Sequence, residues 1–227
     1  MIHHIPNVLS KEQVTYFRTE MAKVEWIDGQ NTTGSLSKNV KNNQQLDVEH
    51  PLTQHLGDII LHKLSHHALF TSAALPLNIL SPYFNRYENG ETFGFHVDNA
   101  IRWIHGSNKR IRTDLSCTIF LSEPEEYEGG ELVVEDTYGY HEVKLPAGDM
   151  ILYPSTSVHE VTPVTAGCRI ASFFWLQSMI RDDADRHMLF NLDQSIQNLR
   201  MELGDAHAEV VKLTSLYHNL LRKWAEI

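Results

Sequence analysis

The chain has 227 residues, of which 42% are hydrophobic, so it is long enough and apolar enough to form a sizeable domain with a buried core. Its formal net charge of −10 argues against binding nucleic acid or an anionic membrane surface. No apolar run reaches the roughly 18 to 20 residues of a membrane helix and no signal peptide is visible, so we expect a soluble, cytoplasmic protein.

Two helices are predicted in the N-terminal third of the chain. Ser10 to Gln13 has the form of a capping box, and apolar residues follow at steps of three and four as far as Val24. The polar run over residues 28–45 is interpreted as a flap or an edge segment. The second helix starts at Pro51, and its apolar positions form one stripe: Leu52, Leu56, Ile59, Ile60 and Leu64.

Short β-branched and aromatic runs, separated by glycines, follow these helices. Eight such runs within about 100 residues predict a mainly β fold, a double-stranded β-helix or jelly roll, with the two helices covering one sheet. Cys117 and Cys168 lie in these runs and are interpreted as buried free thiols in a reducing compartment, with a disulfide as the alternative. The runs span residues 78–87, 93–97, 112–122, 131–135, 141–145, 149–153, 158–162 and 168–177.

Helical spacing returns after Gln177 and predicts a hairpin of two helices. Gly204 is expected to end the first arm and Asp205 to cap the second. The arms either pack on each other and on the β region or build a homodimer interface. Their apolar positions are Leu189, Leu192, Ile196, Leu199 and Leu203, then Val210, Leu213, Tyr217, Leu220 and Trp224. The chain thus divides into three parts: the helices and flap (1–77), the β domain (78–178) and the hairpin (179–227).

A candidate metal site begins with the pattern His-x-Asp at His96 and Asp98. Residues two apart on a strand share a face, so these side chains can converge as two thirds of a facial metal triad. An isolated His-x-Asp is usually only a polar pair, so the interpretation depends on a third ligand. His159 is the best candidate, because it lies 61 residues after Asp98 on a later strand of the same β region.

Arg169 is a further candidate site residue. An arginine within an apolar strand is costly to bury unless it meets an anion, and its planar fork suits a carboxylate. The alternative is a structural salt bridge. A face of two histidines and one carboxylate holds Fe(II) with three positions open, enough for a chelating 2-oxo acid and dioxygen. Arg169 would then bind the distal carboxylate of that co-substrate.

At this point the sequence resembles the PKHD-type hydroxylases, a prolyl-4-hydroxylase-like branch of the Fe(II)/2-oxoglutarate dioxygenases linked with iron uptake. The resemblance extends over most of the chain, and its catalytic part covers about residues 78–178. Many prolyl hydroxylases carry lysine at the position of Arg169, where arginine keeps the charge. The matching segments are residues 86–90, 96–98, 115–126, 129–132, 145–149, the His159 segment with 163–165, and 169–182.

The resemblance implies that His96, Asp98 and His159 bind Fe(2+) and form the catalytic centre, while Arg169 binds 2-oxoglutarate. It further implies hydroxylation of a C–H bond with O2, release of succinate and CO2, and L-ascorbate as a reductant. The substrate, a peptide residue or a small molecule, stays open. Tyr87 is a further candidate for the 2-oxoglutarate carboxylate, with a plain core tyrosine as the alternative.

Residues 99–112 form a basic and aromatic segment beside the candidate metal site. We expect a long loop that selects the substrate through Arg102, Trp103 and Arg110; the alternative is a solvated loop. Gly129 and Gly130 are expected only to make a tight turn. Thr118, Tyr153 and Trp175 are candidate pocket residues. The alternation of side chains along the strands does not show whether they point into the pocket.

Two alternatives to the hydroxylase use the same residues differently. A non-catalytic sensor of iron or 2-oxoglutarate needs the same ligands but releases no succinate. A cupin-like hydrolase or isomerase with another divalent metal consumes no oxygen and gives Arg169 no special role.

Overall fold

The computed structural model describes residues 2–32 and 40–227 of the protein. Five α-helices lie in these residues: α1 (Lys11–Met21), α2 (Pro51–Ser65), α3 (Ala68–Ala74), α4 (Asp183–Leu203) and α5 (Ala208–Trp224). Two short 3-10 helices cover Gly29–Thr32 and Pro124–Glu126. None of the described helices combines the length and apolarity needed to cross a bilayer.

Sixteen strands occupy most of the remaining described chain. In chain order they are β1 (His3–Ile5), β2 (Ile27–Asp28), β3 (Lys41–Asn42), β4 (Gln44–Gln45), β5 (Pro76–Ile79), β6 (Tyr83–Glu88), β7 (Thr92–His96), β8 (Ile101–Trp103), β9 (Arg110–Arg112), β10 (Leu115–Phe120), β11 (Tyr127–Gly129), β12 (Leu132–Asp136), β13 (Gly139–Val143), β14 (Met150–Pro154), β15 (His159–Val161) and β16 (Val164–Ser178). Every pairing between them is antiparallel.

The strands form two sheets and one separate hairpin. The major sheet runs β1-β14-β10-β16-β6-β4-β2, with β5 and β11 also pairing with β16. The minor sheet runs β13-β12-β15-β7-β3, and β8 pairs only with β9. This arrangement confirms the predicted mainly β jelly roll with flanking helices.

The side chains of the major sheet alternate between two environments. Phe84 of β6 and Phe174 of β16 belong to the main hydrophobic core, together with Phe17 of α1 and Ile60 of α2. The intervening residues of the same strands, such as Tyr87, face the other way, towards the minor sheet. The helices therefore cover one face of the major sheet, and the cavity between the sheets lies on the other.

The helical hairpin packs on the body of the protein. Leu189 of α4 is fully buried in a cluster with Leu75 and Ile180, and Trp224 of α5 packs against this cluster. The backbone N–H of Glu226 donates to the carbonyl oxygen of Met179 at 2.8 Å, which fixes the end of the chain. The homodimer alternative for the hairpin remains a prediction.

Helix ends differ from the predictions where local hydrogen bonds decide them. The ring of His207, not the carboxylate of Asp205, caps α5 by accepting from the N–H of Glu209. The Asp205 carboxylate instead accepts from Arg200 at 2.7 Å. The structure adds α3, which was not predicted because its seven residues are too few to show helical spacing. Helix α1 ends at Met21, not at Val24.

Two predicted loops have more structure than expected. Residues 99–112 form the hairpin β8-β9, and the prediction of a loop there was wrong. The polar run 28–45 supplies the short edge strands β2, β3 and β4, while its residues 33–39 lie outside the described residues. Cys117 and Cys168 are both free thiols.

Candidate metal centre and its cavity

The minor sheet carries two of the three candidate ligands, His96 and His159, and Asp98 follows the end of one of its strands. A turn at Asn89 and Gly90, with φ of 54° and 84°, passes the chain from β6 in the major sheet to β7 in the minor sheet. His96 ends β7, and His159 begins β15 directly opposite it. Asp98 lies two residues beyond the end of β7, so its placement follows from the loop and not from the strand alternation that we invoked.

The three side chains come together in the structure. One ligand atom from each of His96, Asp98 and His159 lies within 4.8 Å of the others. The Nε2 atom of His159 is 3.7 Å from Oδ2 of Asp98, and the two imidazole centroids are 4.2 Å apart. A single ion between them would contact all three.

Hydrogen bonds orient each candidate ligand. Nδ1 of His96 lies 2.8 Å from the carbonyl oxygen of Gly94, and Nδ1 of His159 lies 3.0 Å from that of Ser157. Because a carbonyl only accepts, each Nδ1 carries the proton, which leaves Nε2 with a free lone pair for a metal. The hydroxyl of Ser116 donates to Oδ2 of Asp98 at 2.7 Å.

The electrostatics of the site also suit a metal. Burial, followed by the proximity of His159, lowers the pKa of His96 from 6.5 to about 4, so this ring is neutral at pH 7. Phe93 stacks on it with 3.6 Å between ring centroids. Two neutral imidazoles and one carboxylate with space beside them match the donor set of a non-haem Fe(II) centre.

Arg169 lies across the cavity on β16. It is 1% exposed, and two of its nitrogens, Nε and Nη1, are buried without a hydrogen-bond partner among the described residues. The rings of Tyr87 and Phe120 lie 5.4 and 5.3 Å from its guanidinium carbon. A buried guanidinium with two unused donors is the expected partner of a carboxylate ligand, and the structural salt bridge finds no support in the described chain.

Two neighbours shape the space around Arg169. Tyr87 is 1% exposed, and burial raises the pKa of its hydroxyl to about 12, so the group stays a neutral donor. Gly130 has φ of +68°, and a Cβ there would lie 3.0 Å from Cδ of Arg169. The double glycine does more than form a tight turn, since the second one leaves room for the arginine.

One cavity of about 790 Å³, open solvent at its mouth included, joins the candidate ligands to Arg169. Tyr87 lines it, as do three residues whose facing was undecided: Thr118, Tyr153 and Trp175. The sequence did not single out Lys41, Asn85 or Ser116, which also line it. Ser116 is two residues before Thr118 on β10, so a prediction that Thr118 faces the cavity would also have predicted that Ser116 does. Lys41 lies in a polar run in which apolar residues do not recur at regular spacing.

The residues predicted to select the substrate take opposite faces of the β8-β9 hairpin. Arg102 lines the cavity, with its guanidinium carbon 3.5 Å from the ring centroid of Trp175. Trp103 is 56% exposed, and the guanidinium of Arg110 stacks on it at 4.1 Å. The structure brings only Arg102 of these three to the candidate site, because neighbouring strand positions alternate in facing.

Comparison with known families identifies two matched regions. Residues 82–177 match the 2OG-Fe(II) oxygenase superfamily, the region that contains the three candidate ligands and Arg169. Residues 183–226 match the PKHD-type hydroxylase C-terminal domain, the region of the α4-α5 hairpin.

Individual proteins give the same result at the level of whole chains. A PKHD-type hydroxylase of Acinetobacter baumannii strain AYE is 75% identical over 227 residues, which is 100% of both chains. A prolyl hydroxylase from Trichoplax adhaerens, solved with a peptide fragment of hypoxia inducible factor, shares the fold at a TM-score of 0.52 and 13% identity, covering 82% of this chain and 86% of that one.

HygX from Streptomyces hygroscopicus, solved with nickel, 2-oxoglutarate and hygromycin B, also shares the fold, at a TM-score of 0.52 and 16% identity over 78% of this chain and 82% of that one. At these identities both solved structures show a likeness of fold alone. With a relative 75% identical over its full length, the chain belongs to the PKHD-type hydroxylases of the 2OG-Fe(II) oxygenase superfamily.

Proposed function

We propose that His96, Asp98 and His159 hold Fe(II) in this hydroxylase and that Arg169 binds the distal carboxylate of 2-oxoglutarate. The observation that supports this most is the pairing of two features in one cavity: a convergent His-Asp-His cluster and a buried guanidinium with two unused donors. Each feature matches one half of the family's chemistry.

When bound, Fe(II) activates O2, so that 2-oxoglutarate is oxidised to succinate and CO2 while a substrate C–H bond is hydroxylated. The residues of the chain supply position and shelter. Ser116 keeps the Asp98 carboxylate turned towards the histidines, and the two backbone carbonyls keep each Nε2 aimed inward. Tyr87 is a candidate second donor to the co-substrate carboxylate, since its hydroxyl stays neutral and its ring centroid lies 5.4 Å from the guanidinium carbon of Arg169.

Several finer features belong to the same proposal. L-Ascorbate is proposed as the reductant that restores over-oxidised iron, an expectation from the family resemblance. A cytoplasmic location is supported by the two free thiols, Cys117 and Cys168, which suit a reducing compartment. The catalytic unit is proposed to be residues 78–178, supported on one side by residues 1–77 and on the other by the hairpin of residues 179–227.

The substrate is a peptide residue or a small molecule in this proposal. The two solved structures of the same fold contain one ligand of each kind, a peptide fragment in one and hygromycin B in the other. Comparing metabolites and intact protein masses between a deletion strain and the wild type under iron limitation tests both classes. The product that disappears on deletion identifies the substrate.

Anaerobic spectroscopy tests the site. Fe(II) with 2-oxoglutarate should give a weak visible charge-transfer band that disappears in Asp98→Ala and weakens in Arg169→Ala. Asp136→Ala, at a carboxylate in the turn between β12 and β13, is the matched control and should keep the band. A band untouched by both site substitutions would exclude this assignment.

Succinate release separates the enzyme from a sensor built on the same ligands. Wild-type protein with a true substrate should release succinate in proportion to hydroxylated product. Binding of Fe(II) and 2-oxoglutarate without succinate release, for every substrate identified by the deletion experiment, would favour the sensor.

A further inference from the structure

The cavity carries more positive charge than the proposed co-substrate needs. Among the described residues that line it, the charged side chains are Lys41, Arg102, Arg169 and Asp98, three cations and one carboxylate. Fe(II) and the 2-oxoglutarate dianion carry equal and opposite charge, so loading both leaves the excess unchanged. This excess stands out in a chain whose formal net charge is −10.

Lys41 is one of the two cations with no part in the proposed chemistry. It is 4% exposed and lies on β3 opposite Phe93 of β7. Its Nζ is 5.4 Å from the ring centroid of Phe93 and 5.8 Å from that of Phe173. Burial, followed by repulsion from Arg102, lowers the pKa of Lys41 to about 7 against the opposing effect of Asp28 and Asp98, and a bound anion would raise it.

Arg102 is the other. Its guanidinium carbon lies over the ring of Trp175, 3.5 Å from the ring centroid, and this contact restricts the position of the fork. The Nε atom is buried without a hydrogen-bond partner in the described part of the chain. A fork held in this way and carrying an unused donor is arranged for a planar oxyanion such as a carboxylate.

The strand β16 separates these cations from the co-substrate site. Phe173 and Trp175 follow Arg169 by four and six residues, which places them roughly 13 and 20 Å further along the strand. The two carboxylates of 2-oxoglutarate are only about 6 Å apart, given carbon–carbon bonds of about 1.5 Å. The carboxylate that Arg169 binds therefore lies away from the two cations beside Phe173 and Trp175.

Neutralising Asp98 does not explain the pair either. The Asp98 carboxylate already accepts a hydrogen bond from Ser116, and as a proposed ligand it faces a divalent ion.

We infer that Lys41 and Arg102 form a substrate-anion subsite, and that the molecule hydroxylated by this enzyme carries a carboxylate that binds there. The inference rests on the proposed function, because it assigns the distal end of the cavity to the substrate. The aromatic rings of Phe93, Phe173 and Trp175 would pack on the apolar part next to that carboxylate. The carboxylate belongs either to a small organic acid or to an acidic side chain of a peptide.

Matched probes test the subsite in the Fe(II)–2-oxoglutarate form of the full-length protein under argon. Benzoate and benzamide have nearly the same shape and differ in charge, as do the N-acetylated, C-amidated tripeptides Ala-Asp-Ala and Ala-Asn-Ala. Calorimetric titration should give at least tenfold tighter binding of the acid in one pair. The pair that discriminates tells whether the source is a small acid or a peptide, and no discrimination in either pair overturns the inference.

Substitutions locate the binding. Lys41→Met and Arg102→Gln should each weaken binding of the acid at least tenfold and leave binding of the neutral partner unchanged. Arg110→Gln is the matched control, because it removes the same charge from the outer face of the same hairpin. Equal acid binding in Arg102→Gln and Arg110→Gln overturns the inference. Because Arg102 is only half-buried, its substitution is expected to leave the fold intact. The comparison of Arg102→Gln with Arg110→Gln therefore tests the inference even if Lys41→Met lowers the stability of the fold.

The charge-transfer band distinguishes a failure of the substrate-anion subsite from a failure of the proposed function. Both subsite variants should show the wild-type band with Fe(II) and 2-oxoglutarate, since neither residue is assigned to the co-substrate. Loss of the band in these variants would place Lys41 and Arg102 in the co-substrate site and overturn the inference. Absence of the band in the wild type would instead count against the proposed function.

Discussion

The carboxylate of Asp98 is oriented by a hydroxyl from the opposite sheet. Ser116 of β10 donates to it at 2.7 Å, and the hydroxyl of Ser155 lies 2.8 Å from that of Ser116. Both serines are buried, so the pair is shielded from competing water. Partners of this kind hold a ligand in the geometry that a metal needs and contribute to affinity without touching the ion.

Ser116→Ala should therefore weaken Fe(II) binding by about 10- to 100-fold, because the Asp98 carboxylate loses its orienting donor. Competition with a coloured chelator under argon measures this affinity. Ser122→Ala removes a buried hydroxyl that donates to the backbone of Cys168, away from the cavity, and should leave Fe(II) affinity unchanged. Equal loss in both variants would mean that the effect is general destabilisation.

Gly130→Ala should weaken 2-oxoglutarate binding at least tenfold and leave Fe(II) binding intact. The new Cβ would lie 2.8 Å from Val164 and 3.0 Å from Cδ of Arg169, so the arginine must move. Titration of the charge-transfer band with 2-oxoglutarate measures the change. Gly204→Ala imposes similar backbone strain, at φ of +83° with nothing within 4 Å, and should bind 2-oxoglutarate normally.

Some of these residues could be predicted from the sequence and others could not. The spacing of His96 and Asp98, the later strand with His159 and the family resemblance together predicted the three residues that the structure brings together. Ser116 was not predicted, because a serine in a strand has no feature that indicates which carboxylate it meets. Lys41 was not predicted, because an edge strand of two residues carries no periodic signal.

The strand β16 is the element that places both halves of the cavity. Its 15 residues contribute Arg169, Phe173 and Trp175 to the cavity, and Phe174 and Leu176 to the core under the helices. The predicted strand 168–177 is apolar on both faces, so the sequence did not show which face meets the helices and which faces the cavity. The pairing of β16 with four other strands makes that distinction.

The hairpin of α4 and α5 is held by a small apolar cluster. Leu189 is 0% exposed in it, beside Leu75 and Ile180. Leu189→Ala should lower the free energy of unfolding by about 2 to 4 kcal/mol, because it removes buried methyl groups and leaves a cavity. Urea unfolding followed by circular dichroism measures the loss.

Met201→Ala on the same helix is the control for Leu189→Ala. Met201 is 79% exposed, so its truncation should change the free energy of unfolding by less than about 0.5 kcal/mol. Similar losses in both variants would mean that the hairpin is not fixed by the cluster seen here.

At the scale of the whole molecule, β1 connects the edge of the major sheet to the hairpin. His3 pairs with Leu152 in β14, and its ring lies 4.3 Å from that of Phe190 in α4. Burial lowers the pKa of His3 from 6.5 to about 4. Between these pH values the unfolded chain binds more protons than the folded one, so this group destabilises the fold as the pH falls from about 6.5 towards 4.

Lowering the pH from 7.5 to 5.0 should therefore reduce the stability of the metal-free protein, and His3→Gln should make that loss smaller by about 1 kcal/mol. Urea midpoints at the two pH values measure the difference. His62→Gln, at an exposed position of α2, should keep the full wild-type loss. A pH response identical in His3→Gln and the wild type would contradict the assignment to His3.

The general architecture was accessible from the sequence because its signals are periodic and repeated. Runs of β-branched residues between glycines predicted the jelly roll, and three-four spacing predicted α1, α2 and the C-terminal hairpin. Tertiary contacts decided the rest. The β8-β9 hairpin reads as a polar loop because only its inner face, with Arg102 and Ile111, meets the body of the protein.

The cross-strand pairing of His96 with His159 has a consequence for iron supply. An ion held by both residues joins β7 to β15, two strands of five and three residues that meet in the minor sheet. Ligand binding that requires this pairing stabilises the folded chain by about 2.7 kcal/mol when the free ion is at a hundred times its Kd. As iron becomes scarce, the enzyme would therefore lose fold stability together with its catalytic centre, which couples the amount of intact protein to the metal it depends on.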